Sequence, residues 1–266
     1  MNVRQPAVSG LFYPDDPETL RRDIAEFLAE APPQEGELPK AIIVPHAGYI
    51  YSGPVAASVY ARLARGRDSI ERVVLLGPSH RVPFYGLAAT GAASYRTPLG
   101  DIPIDQPSLE RVLDLPQVVK LDAAHTNEHS LEVQLPFLQL LLEHFELVPL
   151  VVGDASADEV AEVLERLWGG PETLIVISSD LSHYHDYATA QRMDRATSES
   201  IVSLHPEQLG YEDACGRIPV SGLLLLARQR GLKGELIDLR NSGDTAGDKL
   251  RVVGYGAYAF SSPGHS

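Results

Sequence analysis

Cysteine is almost absent: Cys215 is the only one in 266 residues. No internal disulfide can form, so a disulfide framework is excluded and a reducing, cytoplasmic home is expected. Long apolar runs are missing too. None approaches the roughly 18 residues a membrane-spanning helix needs, and the opening MNVRQPAVSGLFYP is broken by Pro6, Gly10 and Pro14 with no signal-peptide core. Positive charge is scarce. Lys+Arg 22 against Asp+Glu 36 leaves a net charge of -14, a surface that repels phosphate backbones and anionic lipid. Neither nucleic acid nor a membrane is therefore expected as a partner. No GxxxxGK(S/T) loop, GxSxG elbow, CxxC pair or HExxH helix occurs, which argues against an ATPase, an α/β serine hydrolase, a zinc ribbon and a zincin.

What is present is alternation. AIIVP (41–45), RVVLLG (72–77), LVPLVVG (147–153) and TLIVISS (173–179) are uninterrupted β-branched runs, suited to strands buried on both faces. Helical spacing recurs between them, in DDPETLRRDIAEFLAEA, GPVAASVYARLAR, LEVQLPFLQLLLEHF, ADEVAEVLERLW and VSGLLLLARQRG. Pro136 predicts a kink in the third of these. DKLRVVGYGAYAF reads as a closing strand whose glycines permit close packing or a bulge. Strand and helix alternating along the whole chain predict a three-layer α/β/α fold in one domain, 1–266. The segment APPQEGELPK (31–40) is the best linker, and it precedes the first core strand.

The histidines are not scattered. His46 directly follows AIIVP, His80 lies three residues beyond RVVLLG, and Asp180 with His183 follows TLIVISS. In open α/β sheets ligands bind outside the carboxyl ends of the strands. If these strands are parallel neighbours, the four side chains converge on one edge. PHAGYIYSGP and GPSHRVPFYG set histidines among glycines and prolines, as tight loops require. His125 and His129, in AAHTNEHSLE, open the expected long helix, where free N–H groups favour an anion. His144, His205 and His265 show no pattern and read as surface or structural. Cys215 alone reads as a small buried hydrophobe, although the helix after it favours a thiolate. Asp244 and Asp248 in NSGDTAGDK (241–249) are explained equally by turn formation and by ligation.

Taken together, VRQPAVSGLFYP, VPHAGYIYSGPVAA, GPSHRVPFYG, EHSLEVQLPFL, VPLVVGD, SSDLSHYH, ACGRIPVSG and NSGDTAGDK resemble the Memo family, whose prokaryotic members are also called AmmeMemoRadiSam system protein B. The resemblance runs from about residue 3 to residue 260. It implies a fold like that of the class III extradiol ring-cleaving dioxygenases, with a central mixed, largely parallel sheet. By that resemblance His46 and His80 are metal ligands, and Cys215 stands where the dioxygenases carry a ligating glutamate. His183 takes the acid/base position, with Asp180 beside it.

Exchanging carboxylate for thiolate softens the ligand set and makes copper or zinc more competitive with iron. The expectation is a metal-dependent oxidoreductase holding one iron or copper ion, zinc being possible, and acting on a small substrate. In it His183 moves a proton and Asp180 orients a histidine ring N–H. His129, Tyr49, Tyr51 and Tyr184 are placed to line the pocket. Two alternatives stand beside it: an adaptor that binds a ligand or peptide in the same pocket without turnover, and a zinc hydrolase. By association only, the resemblance implies an AMMECR-type protein and a radical S-adenosylmethionine protein as partners.

Overall fold

The computed structural model describes residues 2–32 and 36–263. Part of the expected linker, 33–35, and His265 lie outside the described residues. The four β-branched runs form the strands Ala41–Val44, Arg72–Pro78, Glu146–Val152 and Thr173–Ser178. They lie side by side and all parallel, in the order Ala41–Val44, Thr173–Ser178, Arg72–Pro78, Glu146–Val152. Register aligns their ends: Val44 pairs with Ser178, and Leu76 with Ile177. Ile42, Val74, Leu150 and Val176 are fully buried, as strands covered on both faces must be.

The sheet is mixed. Outside the parallel centre, Val252–Ser261 pairs antiparallel with Ala41–Val44, and Leu87–Ala89 antiparallel with Glu146–Val152. The closing strand was legible as a strand, and it also pairs with Lys233–Asn241 and His183–His185. A small three-stranded sheet, Val3–Arg4, Ser94–Thr97 and Gly100–Pro103, lies apart from it.

Helices complete the layers. Pro17–Glu30 starts at Asp16, whose carboxylate accepts the Thr19 N–H at 2.9 Å, with Pro17 in the first turn where its missing N–H costs nothing. It buries Leu20 and Ile24 and packs on Tyr49–Tyr60 through Gly53, where a Cβ would come 2.7 Å from Phe27. A second pair, Ala157–Leu167 and Arg217–Gln229, is as close. A Cβ on Gly222 would lie 2.4 Å from Val160, so only glycine fits. Ala157–Leu167 opens on a reciprocal cap between Ser156 and Glu159.

Two expectations are corrected. LEVQLPFLQLLLEHF is not one kinked helix but a 3₁₀ turn, Glu132–Gln134, followed by the short helix Leu135–Leu141. Pro136 sits in that helix's first turn, so it starts a helix rather than bending one. The helix expected from Gly53 begins at Tyr49 and carries Pro54 inside it. Among the described residues no helix is long and apolar enough to cross a membrane.

Candidate metal centre

The aligned strand ends deliver the chemistry to one place. His46 lies two residues past Ala41–Val44, His80 two past Arg72–Pro78, and Ser179 and Asp180 leave Thr173–Ser178 directly. Cys215 arrives from the other side, two residues before the helix Arg217–Gln229. Gly216 allows that approach: a Cβ there would lie 2.7 Å from the Ser179 Cβ. One ligand atom from each of His46, His80 and Cys215 lies within 4.8 Å of the others. The Cys215 Sγ is 3.3 Å from His46 Nε2, and the two imidazole rings are 5.2 Å apart, nearly perpendicular.

Hydrogen bonds fix which nitrogens are free. Gln134 Nε2 donates to the Pro45 carbonyl at 2.9 Å, while its Oε1 accepts from Tyr60 at 2.8 Å, so its amide orientation is set. The same Nε2 donates to Ser178 Oγ at 2.8 Å, and Ser178 spends its own proton on the Ser130 carbonyl at 2.6 Å. A hydroxyl has one proton, so at 2.8 Å from His46 Nδ1 Ser178 Oγ must accept. His46 therefore carries its proton on Nδ1 and presents a lone pair on Nε2 to Cys215.

Parallel reasoning fixes two more rings. His80 Nδ1 lies 2.9 Å from Glu128 Oε1, and the carboxylate also accepts the His80, His129 and Ser130 backbone N–H groups. That leaves Nε2 free on His80. His183 Nδ1 lies 2.8 Å from the Leu181 carbonyl, which only accepts, so its Nε2 is free as well. Such partners orient ligating imidazoles and raise their basicity.

Charge follows burial and partners. Burial, helped by the neighbouring His80, His129 and His183, holds His46 well below the usual histidine range, so its ring is neutral. Burial alone would raise Glu128, but the His80 ring and the backbone donors outweigh it and hold it at about 2. Burial, then the Asp180 carboxylate, pushes the Cys215 thiol up to about 12. The thiolate expected from the helix start is thus not the state of the metal-free chain, because desolvation exceeds what the N–H groups of Asp180 and Gly216 return. Asp180 is itself raised by burial, against hydrogen bonds from the His46 and Ala47 N–H groups.

The other expected site residues divide. Asp180 is present but orients the backbone of His46, accepting its N–H at 2.7 Å. The ring-orienting task belongs to Ser178 and Glu128, which the sequence did not single out. His129 stacks on His80 with centroids 4.6 Å apart, and its buried Nδ1 has no hydrogen-bond partner among the described residues. Tyr184 is exposed, adopts a left-handed φ of 64° and lies under Arg251. Tyr51 is 38% exposed, but Tyr49 does not line the site: it is buried against Phe137 and donates to the Val133 carbonyl. Tyr255 is buried, and burial, with the charge of Asp180, holds its hydroxyl far above the ordinary tyrosine range.

The remaining histidines are structural or peripheral. His125 is buried between the Tyr95 hydroxyl and the Ala88 carbonyl, so it takes no part in an anion site. His144 is exposed, and His205 pairs with Glu207 at the surface. Asp244 and Asp248 cap the turn 241–251 through Asn241 N–H and Leu250 N–H, as turn formation required.

Known proteins resemble this chain along nearly its whole length. The model of the family described as "Memo-like protein" matches residues 4–259. A "MEMO1 family protein" of Aquifex aeolicus is 40% identical, the match covering 96% of this chain and 98% of that protein. One from Ignicoccus hospitalis is 38% identical over 99% and 100% of the two chains. The crystal structure of an uncharacterized protein from Escherichia coli K12 superposes with a TM-score of 0.50 over 81% of this chain and 98% of that one. At 12% identity that likeness speaks for the fold alone.

Proposed function

The chain belongs to the Memo-like family, and from that premise we propose that it is a metal-dependent oxidoreductase binding one iron or copper ion through His46, His80 and Cys215. One observation carries the reading: three ligand atoms lie within 4.8 Å, and the hydrogen-bond network leaves the Nε2 lone pairs of both rings free. Two nitrogens and one sulfur suit a soft or borderline transition metal, so the residues fit the ion. Bound there, the metal supplies a redox couple and a Lewis acid with open positions.

The chain's own groups supply the rest. Ser178 and Glu128 hold the two imidazoles by their Nδ1–H groups, and Glu128 places an anion next to His80. Cys215 loses its proton on ligation, the price of placing a thiolate in a buried site. His183, with Nε2 free and its ring turned by Leu181, accepts or returns a proton of the substrate. Asp180 fixes the loop that carries His46. Tyr51 and Tyr184 stand at the rim. A lone thiol ligand of this kind is suited to the reducing cytoplasm.

Metal analysis of protein purified anaerobically under reducing conditions tests this. The reading expects about one iron or copper per chain in the wild type and a loss in Cys215→Ser with the fold retained. A chain without stoichiometric metal that binds small molecules or peptides unaffected by chelator would favour the adaptor instead. Zinc alone would favour hydrolysis.

A further inference from the structure

We propose that Arg217 anchors the carboxylate of a small organic acid in the cleft beside Cys215, whose apolar wall takes the body of that acid. The inference rests on the metal-centre reading only for the direction in which the acid points. The cleft measures about 650 Å³ and is lined by Cys215, Arg217, Val82, Phe84, Ile218 and Asp154. One wall is therefore the proposed ligand Cys215, another the loop after His80, and a third the first turn of the helix Arg217–Gln229.

Arg217 is half-buried, yet among the described residues no carboxylate pairs with it. Its guanidinium meets only the Tyr211 ring, at 5.9 Å, and Tyr211 is 87% exposed. Such a contact contributes little in water and uses none of the five N–H donors. Among the described residues Arg217 is the one basic side chain lining the cleft. Arg72, Arg96, Arg166, Arg230 and Arg240 each have a carboxylate partner. Arg217 thus brings unused N–H donors to the cleft wall next to Cys215.

Geometry and charge select the ligand class. A planar guanidinium matches a carboxylate with two parallel hydrogen bonds. Asp154, the acidic side chain lining the same cleft, disfavours a dianion, so a monoanionic carboxylate fits better than a phosphate. Val82, Phe84 and Ile218 offer an apolar surface to the rest of the molecule. Small-molecule sites typically combine such walls with a few placed polar groups.

Benzoate is a suitable probe, with benzyl alcohol as its neutral counterpart. Binding is measured by calorimetry on metal-loaded and chelator-treated protein, for wild type, Arg217→Gln, Arg217→Lys and Arg192→Gln, the last an exposed arginine that does not line the cleft. We expect benzoate to bind the wild type at least tenfold tighter than benzyl alcohol. Arg217→Gln should lose that preference while keeping its metal content, Arg217→Lys should restore part of it, and Arg192→Gln should leave it unchanged. Equal binding of the two probes, no detectable benzoate binding, or an unaltered preference in Arg217→Gln would overturn the anchor. A benzoate preference that depends on Arg217 in a protein holding no metal would uphold the anchor and remove the metal reading instead. Tighter binding of inorganic phosphate than of benzoate would refute the carboxylate assignment.

Discussion

Glu128→Gln keeps the shape of a buried side chain and removes its charge, so it isolates what the carboxylate does beneath His80. The side chain is 1% exposed and accepts hydrogen bonds from His80 Nδ1 and from the N–H groups of His80, His129 and Ser130. Glutamine can satisfy one side of that set but turns an NH₂ toward donors on the other. The folded carboxyl is held at about 2, below its ordinary 4.5. That difference corresponds to about 3 kcal/mol of stabilisation of the charged form. Because the folded pKa is depressed, the stabilisation is fully present above about pH 4.5 and disappears as pH falls toward about 2. Urea unfolding followed by the single tryptophan, Trp168, should therefore show the variant less stable by about 3 kcal/mol at pH 7 and by about 1 kcal/mol near pH 3. A difference under about 0.5 kcal/mol at pH 7, or one that does not change between pH 5 and pH 3, would contradict a stabilising carboxylate beneath His80.

Three further outcomes follow from the same network. Ser178→Ala strips the acceptor from His46 Nδ1 and from Gln134 Nε2, so it should lower metal affinity about 10- to 100-fold, read by competition with a chromophoric chelator. Metal uptake should release one proton, because Cys215 sits at about 12 while the His46 ring is already neutral. The apparent affinity should then rise about tenfold per pH unit between roughly pH 7 and 9, and a flat profile would contradict a cysteine ligand. Glu132→Gln breaks the buried pair with Arg4 and weakens the acceptor for the Ala7 and Val8 N–H groups and the Tyr13 hydroxyl. It should cost about 3–5 kcal/mol in denaturant unfolding while leaving the metal stoichiometry of the folded protein unchanged.

The strands and their ends were readable because four β-branched runs leave no other regular structure that buries both faces. The approach of His46 and His80 followed from those ends, since parallel neighbours in register carry their next residues to one edge. Cys215 did not follow: nothing in EDACGRIPVSG reveals which strand end it meets, and only the family resemblance connected it. Glu128 and Ser178 escaped notice because an acid in TNEHSLE and a serine in VISSD look like solvated or capping residues until burial is known. The tyrosines show the limit of motif proximity. Tyr49 and Tyr51 stand two residues apart on one helix, about 200° around its axis, so one faces the core and the other the surface. The short helix after Glu132 was overestimated because an apolar run alone does not say where a 3₁₀ turn interrupts it.

X-ray absorption at the metal edge of the loaded protein reads the donor atoms themselves. Two imidazole nitrogens and one sulfur are predicted for the wild type, with the metal signal of Cys215→Ser lost or, for any metal it retains, free of sulfur. A wild-type spectrum containing no sulfur, or one unchanged by that substitution, would contradict the assignment of His46, His80 and Cys215 as the ligands.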